Sequence, residues 1–314
     1  ISYNETGASV AVKAFDPNAS VPSVDASESQ IFLDSTQADI LSPLSLPDEE
    51  ETVVEETSSA GGDALLEKIT EPEVFLESFF SDSNVDALSN DTYYGSYPMW
   101  GYDRVKAEQA HALSRGAGIT IAVIDTGLDY NHEDILGNVF TNLGEIAGDC
   151  IDNDGNGFID DLHGWDFANN DNDAFDDNGH GSHVSGIAAA VSDNAKGIAG
   201  IAPDAKILSV KVLDASGSGT IANVINGIKY AVNIGAKIIN MSLGIAKKFL
   251  SSSLLGAFQD AINYALGKGT ITVVAAGNES VDSNTTAPAG LTSTIAIGAT
   301  NDKNTKPYWS NKYP

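Results

Sequence analysis

The chain has 314 residues, of which 42% are apolar, and its 44 acidic and 16 basic side chains give a formal net charge of −28. This length and apolar content suffice for a sizeable core and exclude a wholly disordered chain. The charge excludes a nucleic-acid binder that works through a basic patch, and it disfavours adhesion to anionic lipid. No apolar run reaches the roughly 18 residues that would indicate a membrane span.

The acidic residues are concentrated near the N-terminus. Residues 1–95 hold 20 of the 44 acidic residues but only two of the 16 basic ones, and residues 1–60 lack helical or strand periodicity. We therefore expect residues 1–92 to form an acidic, largely flexible arm with a short helix at 63–80. The single cysteine says little about the compartment. Because the sequence starts at Ile1 without a leader, we expect it to derive from a longer precursor.

After residue 93 the sequence predicts alternating helices and strands. A helix is expected over 103–114, followed by apolar strands at 119–124, 206–213, 237–243, 270–276 and 294–299. Between these strands, two amphipathic helices have apolar faces. These faces consist of Ile221, Val224, Ile225, Ile228 and Val232, and of Leu254, Leu255, Phe258, Ile262 and Leu266. Apolar strands separated by helices indicate a parallel sheet covered on both faces, so the predicted fold class is α/β, doubly wound.

Three polar residues directly follow predicted strands, namely Asp125, Ser242 and Asn278. In doubly wound sheets such positions face the crevice where ligands bind. Asp125 opens an Asp-Thr-Gly triplet, which also occurs in aspartic proteases. Those enzymes need a second triplet or a homodimer of small β subunits, whereas this chain has one copy in a strand-helix context. We therefore reject the aspartic protease interpretation.

A second segment, residues 178–186, reads Asn-Gly-His-Gly-Ser-His-Val-Ser-Gly, and its small residues predict a tightly buried helix. His180 falls in the first turn of this helix. Together with His183 it is spaced for a metal, but the zinc-protease pattern requires a Glu after the first His, and none is present. We interpret His183 as structural. Asn278 ends an Ala-Ala-Gly-Asn run and is either a turn residue or a donor to an oxyanion.

Four ordered blocks, at 123–127, 178–186, 240–244 and 275–278, together resemble the subtilisin-like serine proteases, the subtilases. The similarity runs from about Trp100 to the end of the chain. It implies that Asp125 is the triad carboxylate and that His180 is the general base. It also implies that Asn278 donates to the oxyanion.

The resemblance further implies a peptide substrate that pairs between two edge strands, and an apolar pocket for its primary side chain. The implied strand residues are Gly217, Ser218, Gly219, Ser242, Leu243 and Gly244, and the pocket residues are Ala275, Ala276 and Gly277.

The family places its nucleophile in a Gly-Thr-Ser-Met-Ala block, which this sequence lacks. We expect residues 93–314 to be a catalytic domain truncated before that serine, which a downstream segment or a second chain would supply. A catalytically inactive scaffold of the same fold, kept for binding, is the alternative. Neither Ser182 nor Ser310 lies in the matching context, so neither is assigned as the nucleophile.

The acidic insert between Asp125 and His180 predicts bound calcium. Oxygen side chains alternate there as in the start of an EF-hand loop, with Gly157 at the turn but His163 in place of the twelfth-position Glu. A solvated acidic loop is the alternative, and a further acidic cluster follows at 171–177. The predicted ligands are Asp152, Asp154, Asn156, Phe158, Asp160 and Asp161.

Residues 192–198 resemble the calcium loop of subtilases. The implied ligands are the side chains of Asp134 and Asn194 and the carbonyls of Ser192, Lys196 and Ile198. The N-terminal glutamine that completes the family's site has no clear counterpart. The sequence as a whole predicts a secreted or otherwise extracytoplasmic, calcium-stabilised endopeptidase that acts on peptides, not on nucleic acid or membranes.

Overall fold

A computed structural model of the protein describes residues 30–32, 89–94 and 100–312. The predicted helix at 63–80 and most of the predicted N-terminal arm lie outside the described residues. All of the described residues belong to one unit of the chain.

A parallel sheet forms the centre of the described fold. Its strands, numbered with the shorter ones in chain order, are β2 (Thr120–Asp125), β3 (Gly164–Asp166), β4 (Lys206–Lys211), β6 (Ile238–Met241), β8 (Ile271–Ala275) and β10 (Thr294–Ile297). They lie in the order β10-β8-β6-β2-β4-β3, and each neighbouring pair is parallel. The five predicted strands are confirmed: β2 is shifted by one residue from the predicted 119–124, and the other four are slightly shorter than predicted.

Helices lie on both faces of this sheet, as predicted. The described helices are α1 (Trp100–Arg104), α2 (Ala107–His111), α3 (His180–Ala189), α4 (Ile221–Ile234) and α5 (Ser252–Gly267). On one face, Ile121 and Val123 of β2 pack in a cluster with the end of α3. On the other, Ala122 and Ile124 join a larger core that contains α4 and α5. The α/β, doubly wound architecture is thereby confirmed.

Two helix predictions need correction. The helix expected over 103–114 is divided into α1 and α2, because Lys106 between them adopts a left-handed conformation with φ of 54°. Leu266 was predicted on the apolar face of α5 but is 53% exposed, and Ala265 is buried there instead. The predicted apolar face of α4 is buried throughout.

Two small antiparallel sheets complete the fold. The strand β1 (Gln30–Phe32), within the predicted arm, pairs with β5 (Ser218–Thr220). The strand β7 (Ile245–Ala246) pairs with β9 (Thr286–Ala287).

Helix α3 begins against the turn that follows β2. A Cβ atom on Gly181 would lie 2.2 Å from the carbonyl oxygen of Gly127, so only glycine permits this approach. Gly127 itself has φ of 117°, a conformation that favours glycine, and a Cβ there would meet the backbone of Phe175. Gly181 therefore determines how closely α3 approaches the end of β2, and Gly127 allows the segment at Phe175 to pack against the same turn.

We expect Gly181→Ala to destabilise the fold by about 1–3 kcal/mol, because the added methyl group must push α3 away from a backbone carbonyl. Urea unfolding measures this change.

Gly186→Ala in the same helix is the matched control, since its Cβ would meet only Ile135 Cδ1 at 4.0 Å. Alanine is the better helix former, so this variant should be neutral or more stable. Equal unfolding midpoints for the two variants would refute the close-packing argument.

Candidate active site

The three polar residues singled out from the sequence lie at one edge of the sheet. Asp125 ends β2, Ser242 follows β6 and Asn278 lies beyond β8, and these three strands are neighbours. Parallel strands end on the same side of a sheet, so polar residues that follow them are expected to lie at a common edge. The prediction from the sequence is confirmed for these three residues.

Asp125 and His180 form the central contact of this edge. Asp125 is fully buried, and its Oδ1 atom lies 2.8 Å from His180 Nδ1 and accepts a 2.7 Å hydrogen bond from the backbone N–H of Thr126. Among the described residues, Asp125 Oδ2 is buried without a hydrogen-bond partner. The side chain of His180 is 27% exposed, so this imidazole connects a buried carboxylate to the surface.

The surroundings of His180 favour its charged form. The hydrogen bond to Asp125 raises the pKa of His180 above its usual 6.5, burial opposes this shift, and the charges of Asp125 and Asp176 add to it. The ion pair therefore stabilises the fold fully below about pH 6.5, and this contribution is lost as the pH rises through the raised pKa.

An NMR titration should therefore give His180 a pKa above 6.5. Asp125→Asn should lower this pKa, since burial then acts without the opposing carboxylate. Asp260→Asn, on the exposed surface of α5, should leave it unchanged. An unaltered His180 pKa in Asp125→Asn would contradict the assignment.

The loop that carries Asn278 is held by Asn311, a residue that sequence reasoning missed. Asn311 is 1% exposed, and its side chain donates to the carbonyl of Ala276 and the carboxylate of Glu279. Its Oδ1 atom accepts from the backbone N–H groups of Glu279 and Val281. The backbone N–H of Asn278 donates to Glu279, but among the described residues its side-chain amide makes no hydrogen bond. No local signal marks Asn311, because it lies 33 residues from Asn278.

The predicted peptide-binding strand lies on β5, but its edge is paired. Gly219 bridges Leu213 on one side and pairs with β1 on the other. A peptide that adds to this strand would therefore take the place of β1. The predicted second strand, 242–244, follows β6, and the side chain of Leu243 is buried. Of the predicted pocket residues, Ala275 ends β8 and is exposed, whereas Ala276 and Gly277 follow the strand and Ala276 is buried.

The serines near the site are engaged in other bonds. Ser182 Oγ donates to Asp176 and accepts from the backbone N–H of Asp129. Ser310 is 1% exposed and bonds to the backbone of Ala299 and Asn311. These contacts agree with leaving both serines unassigned.

A model described as the subtilase family matches residues 116–314. The chain belongs to the subtilase family. It is 40% identical to thermitase from Thermoactinomyces vulgaris over 221 residues, which are 70% of this chain and 68% of thermitase. It is also 41% identical to the thermophilic serine proteinase of Bacillus sp. (strain AK1) over 211 residues. This stretch is 67% of this chain but 45% of that protein.

The fold comparison agrees with this family. Proteases from Pseudoalteromonas arctica PAMC 21717 superpose with a TM-score of 0.56 at 28% identity, over 72% of this chain and 69% of theirs. In the part of the chain that the structure describes, no helix is long and apolar enough to cross a membrane.

In this subtilase, two buried carboxylates face the predicted calcium loop. Asp134 accepts hydrogen bonds from Asn194 Nδ2 at 2.8 Å and from the backbone N–H of Ile198 at 2.9 Å. Asp91, which sequence reasoning missed, accepts from the backbone N–H groups of Asp193 and Asn194. Asn194 thus contacts both carboxylates. Asp91 lies about 100 residues before Asp193 and Asn194 in the sequence, so no local pattern indicates that they are in contact.

The acidic insert brings two of the predicted calcium ligands, Asp152 and Asp154, together with Glu145. Oxygen atoms of Glu145, Asp152 and Asp154 lie within 4.8 Å of one another. This spacing suits a calcium ion, whose oxygen ligands lie at 2.3–2.6 Å. Glu145 was not predicted, because it precedes the loop motif. Asn156, another predicted ligand, donates to the carboxylates of Asp152 and Asp154, and the backbone N–H of Asp160 donates to Glu145.

The carboxylates of Asp160 and Asp161 bond elsewhere. Asp160 accepts from the backbone N–H groups of Gly148 and Cys150. Asp161 is fully buried and accepts from Tyr230, Asn142 and Asn156, and burial raises its pKa to about 6. Asn156 accepts from the backbone N–H of Phe158.

The acidic cluster at 171–177 is largely paired. Asp173 accepts from the Tyr130 hydroxyl, and Asp177 forms an ion pair with Lys211 at 2.6 Å. Asp176 accepts from the hydroxyls of Thr126 and Ser182. Hydrogen bonds and an ion pair within the protein therefore account for these three carboxylates without a metal ion.

Proposed function

We propose that this chain is the Asp- and His-bearing part of a calcium-stabilised serine endopeptidase. The observation that carries the proposal is the 2.8 Å contact between His180 and the buried Asp125 at the carboxyl edge of the sheet. A buried carboxylate that fixes one ring nitrogen leaves the other free to accept a proton from a nucleophile.

In the proposed mechanism His180 Nε2 takes the proton of an attacking serine hydroxyl and later returns it to the leaving amine. Asp125 holds the tautomer and stabilises the imidazolium, in line with the raised pKa of His180. Asn278, whose side-chain amide has no competing bond in the described residues, would donate to the oxyanion. A peptide would replace β1 beside β5 and place its primary side chain near Ala275, Ala276 and Gly277.

The nucleophile is proposed to arrive on a further segment or a second chain. One face of the sheet, as far as the described residues show it, is incompletely covered, and this supports the proposal. Ile271, Ile295 and Ile297 lie on the same face as Ile121 by strand register and are 49%, 51% and 55% exposed, whereas Ile121 is 7% exposed. Parallel sheets are ordinarily covered on both faces, so a further element is expected to cover β8 and β10.

Calcium is proposed at two positions. Glu145, Asp152 and Asp154 would hold one ion, with Asn156 and the Phe158 carbonyl nearby in sequence. Asp91, Asp134, Asn194 and the carbonyls of Ser192, Lys196 and Ile198 would hold the other. Bound calcium would neutralise carboxylates that otherwise repel each other. The proposal includes an extracytoplasmic location, where oxygen-rich modules bind calcium at about 10⁻⁴–10⁻³ M.

Calcium should raise the melting temperature of the chain, and a chelator should lower it. A ligand that binds only the folded state at a thousandfold excess over its Kd stabilises by about 4 kcal/mol. Glu145→Gln should reduce the calcium-dependent rise in melting temperature, because it removes one negative ligand.

Asp149→Asn is the matched control in the same insert, because among the described residues the Asp149 carboxylate accepts only from Ile151 and Asn153, and it lies outside the three-carboxylate group. It should retain the full calcium response. Identical melting curves with calcium and with chelator would exclude both sites.

The 314-residue chain alone should not react covalently with a fluorophosphonate, and should react once the nucleophile segment is supplied. In the completed enzyme, His180→Ala should abolish labelling. Asn278→Ala should lower kcat by about 10²- to 10³-fold, the range known for the corresponding donor of subtilisin. Asn263→Ala on the exposed surface of α5 is the control.

Labelling of a serine within the 314 residues would show that the nucleophile assignment is wrong. A completed chain that folds, binds peptide and never reacts would favour the alternative, a scaffold that binds without cleaving.

A further inference from the structure

Lys211 is a buried cation that the proposed mechanism does not use. It is the last residue of β4 and is paired in register with Asp125 on β2. Its side chain is 1% exposed and is among the largest fully buried side chains of the described residues. A buried ammonium group is costly unless each of its three hydrogen atoms has an acceptor.

All three acceptors of Lys211 are present. Its Nζ atom donates to the carbonyl oxygen of Thr126 at 2.7 Å, to the carbonyl oxygen of Leu213 at 2.9 Å and to the carboxylate of Asp177 at 2.6 Å. The ammonium group is therefore fully satisfied by two neutral acceptors and one anion.

Each acceptor lies beside a residue of the proposed site. Thr126 follows Asp125, and Asp177 lies in the turn that leads into α3 and His180. Leu213 bridges Gly219 of the proposed peptide-binding strand, and its own N–H donates to the carbonyl of Asp125. One ammonium group thus connects the three segments that would hold the carboxylate, the base and the substrate.

A second connection joins two of these segments without Lys211. The hydroxyl of Thr126 donates to Asp176 at 2.8 Å and accepts from the backbone N–H of Gly181 at 2.9 Å. The segments therefore stay linked when Lys211 is changed, and the expected effect is a loss of alignment. Buried ion pairs often contribute little net stability compared with apolar residues of similar size, so stability alone does not explain Lys211.

We propose that Lys211, through its ion pair with Asp177, is a positioning residue that sets the alignment of His180 with Asp125. The proposal rests on the proposed function for its catalytic consequence, but the alignment itself can be measured in this chain without a nucleophile. Lys211 touches no reacting atom, and its effect passes through Thr126 and the turn before α3.

The test uses the full 314-residue chain, labelled with ¹⁵N at histidine. In the unchanged chain, the Nδ1 proton of His180 should give a downfield resonance from its bond to Asp125. Asp177→Asn and Lys211→Met should shift this resonance upfield and broaden it, because the imidazole samples geometries in which the bond is longer.

Asp177→Asn is the more tolerant variant, since its carboxylate is 44% exposed, and it decides the question if Lys211→Met fails to fold. The matched control is Asp204→Asn, which removes a 42% exposed carboxylate from another ion pair, with Arg115 at 3.0 Å. This control should leave the His180 resonance in place. A folded Asp177→Asn chain with the unchanged resonance would overturn the proposal.

The same substitutions in the enzyme completed by its nucleophile segment separate this proposal from the proposed function. We expect kcat to fall roughly 10- to 100-fold with KM nearly unchanged, since misplacement of a catalytic group by about 1 Å has effects of this size. If the completed enzyme cleaves no peptide, the proposed function fails, and the NMR result still decides the role of Lys211. An unchanged kcat in Asp177→Asn would count against positioning.

Discussion

The approach of helix α3 to the turn after β2 is the constraint on which the candidate site depends. His180 is the first residue of that helix and Asp125 the last of that strand, so the distance between helix and turn sets the distance between imidazole and carboxylate. Gly181 allows the two backbones to meet where any side chain would collide with the carbonyl group of Gly127. The small residues around His180 thus allow α3 to pack closely against the turn, and this packing brings the imidazole within hydrogen-bond distance of Asp125.

A polar layer lies directly beneath this contact. Thr126, Asp176, Asp177 and Lys211 connect the strand end to the start of the helix through one hydroxyl, two carboxylates and one ammonium group. Asp176 also accepts from the N–H groups of Asn178, Gly179 and Ser182. Burial alone would raise the pKa of Asp176, but the bond from the Ser182 hydroxyl and these N–H bonds together hold it below the usual value. A negative charge at the start of a helix is favourable. The layer therefore joins helix capping, charge compensation and alignment in one network.

The parts of this protein that the sequence predicted well are those encoded over short distances. Apolar strands such as 119–124 and the polar residue that follows each one can be recognised from neighbouring residues alone. Asp91, Glu145, Asn311 and Lys211 escaped prediction, because each contacts segments that no short motif links to it, in the case of Asp91 about one hundred residues away. The division of the first helix at Lys106 also had no local signal, since lysine is ordinarily a good helix former.

The exposed isoleucines of β8 and β10 have a consequence for how the chain behaves in solution. In the described sheet, β10 is an edge strand, and an apolar edge is a template for pairing with another copy. The net charge of −28 opposes such contacts, because two copies repel each other before their edges meet. Salt shortens the range of that repulsion to about 8 Å at physiological ionic strength. Repulsion between acidic copies therefore opposes association through the apolar edge of β10. A higher ionic strength weakens this repulsion and favours association.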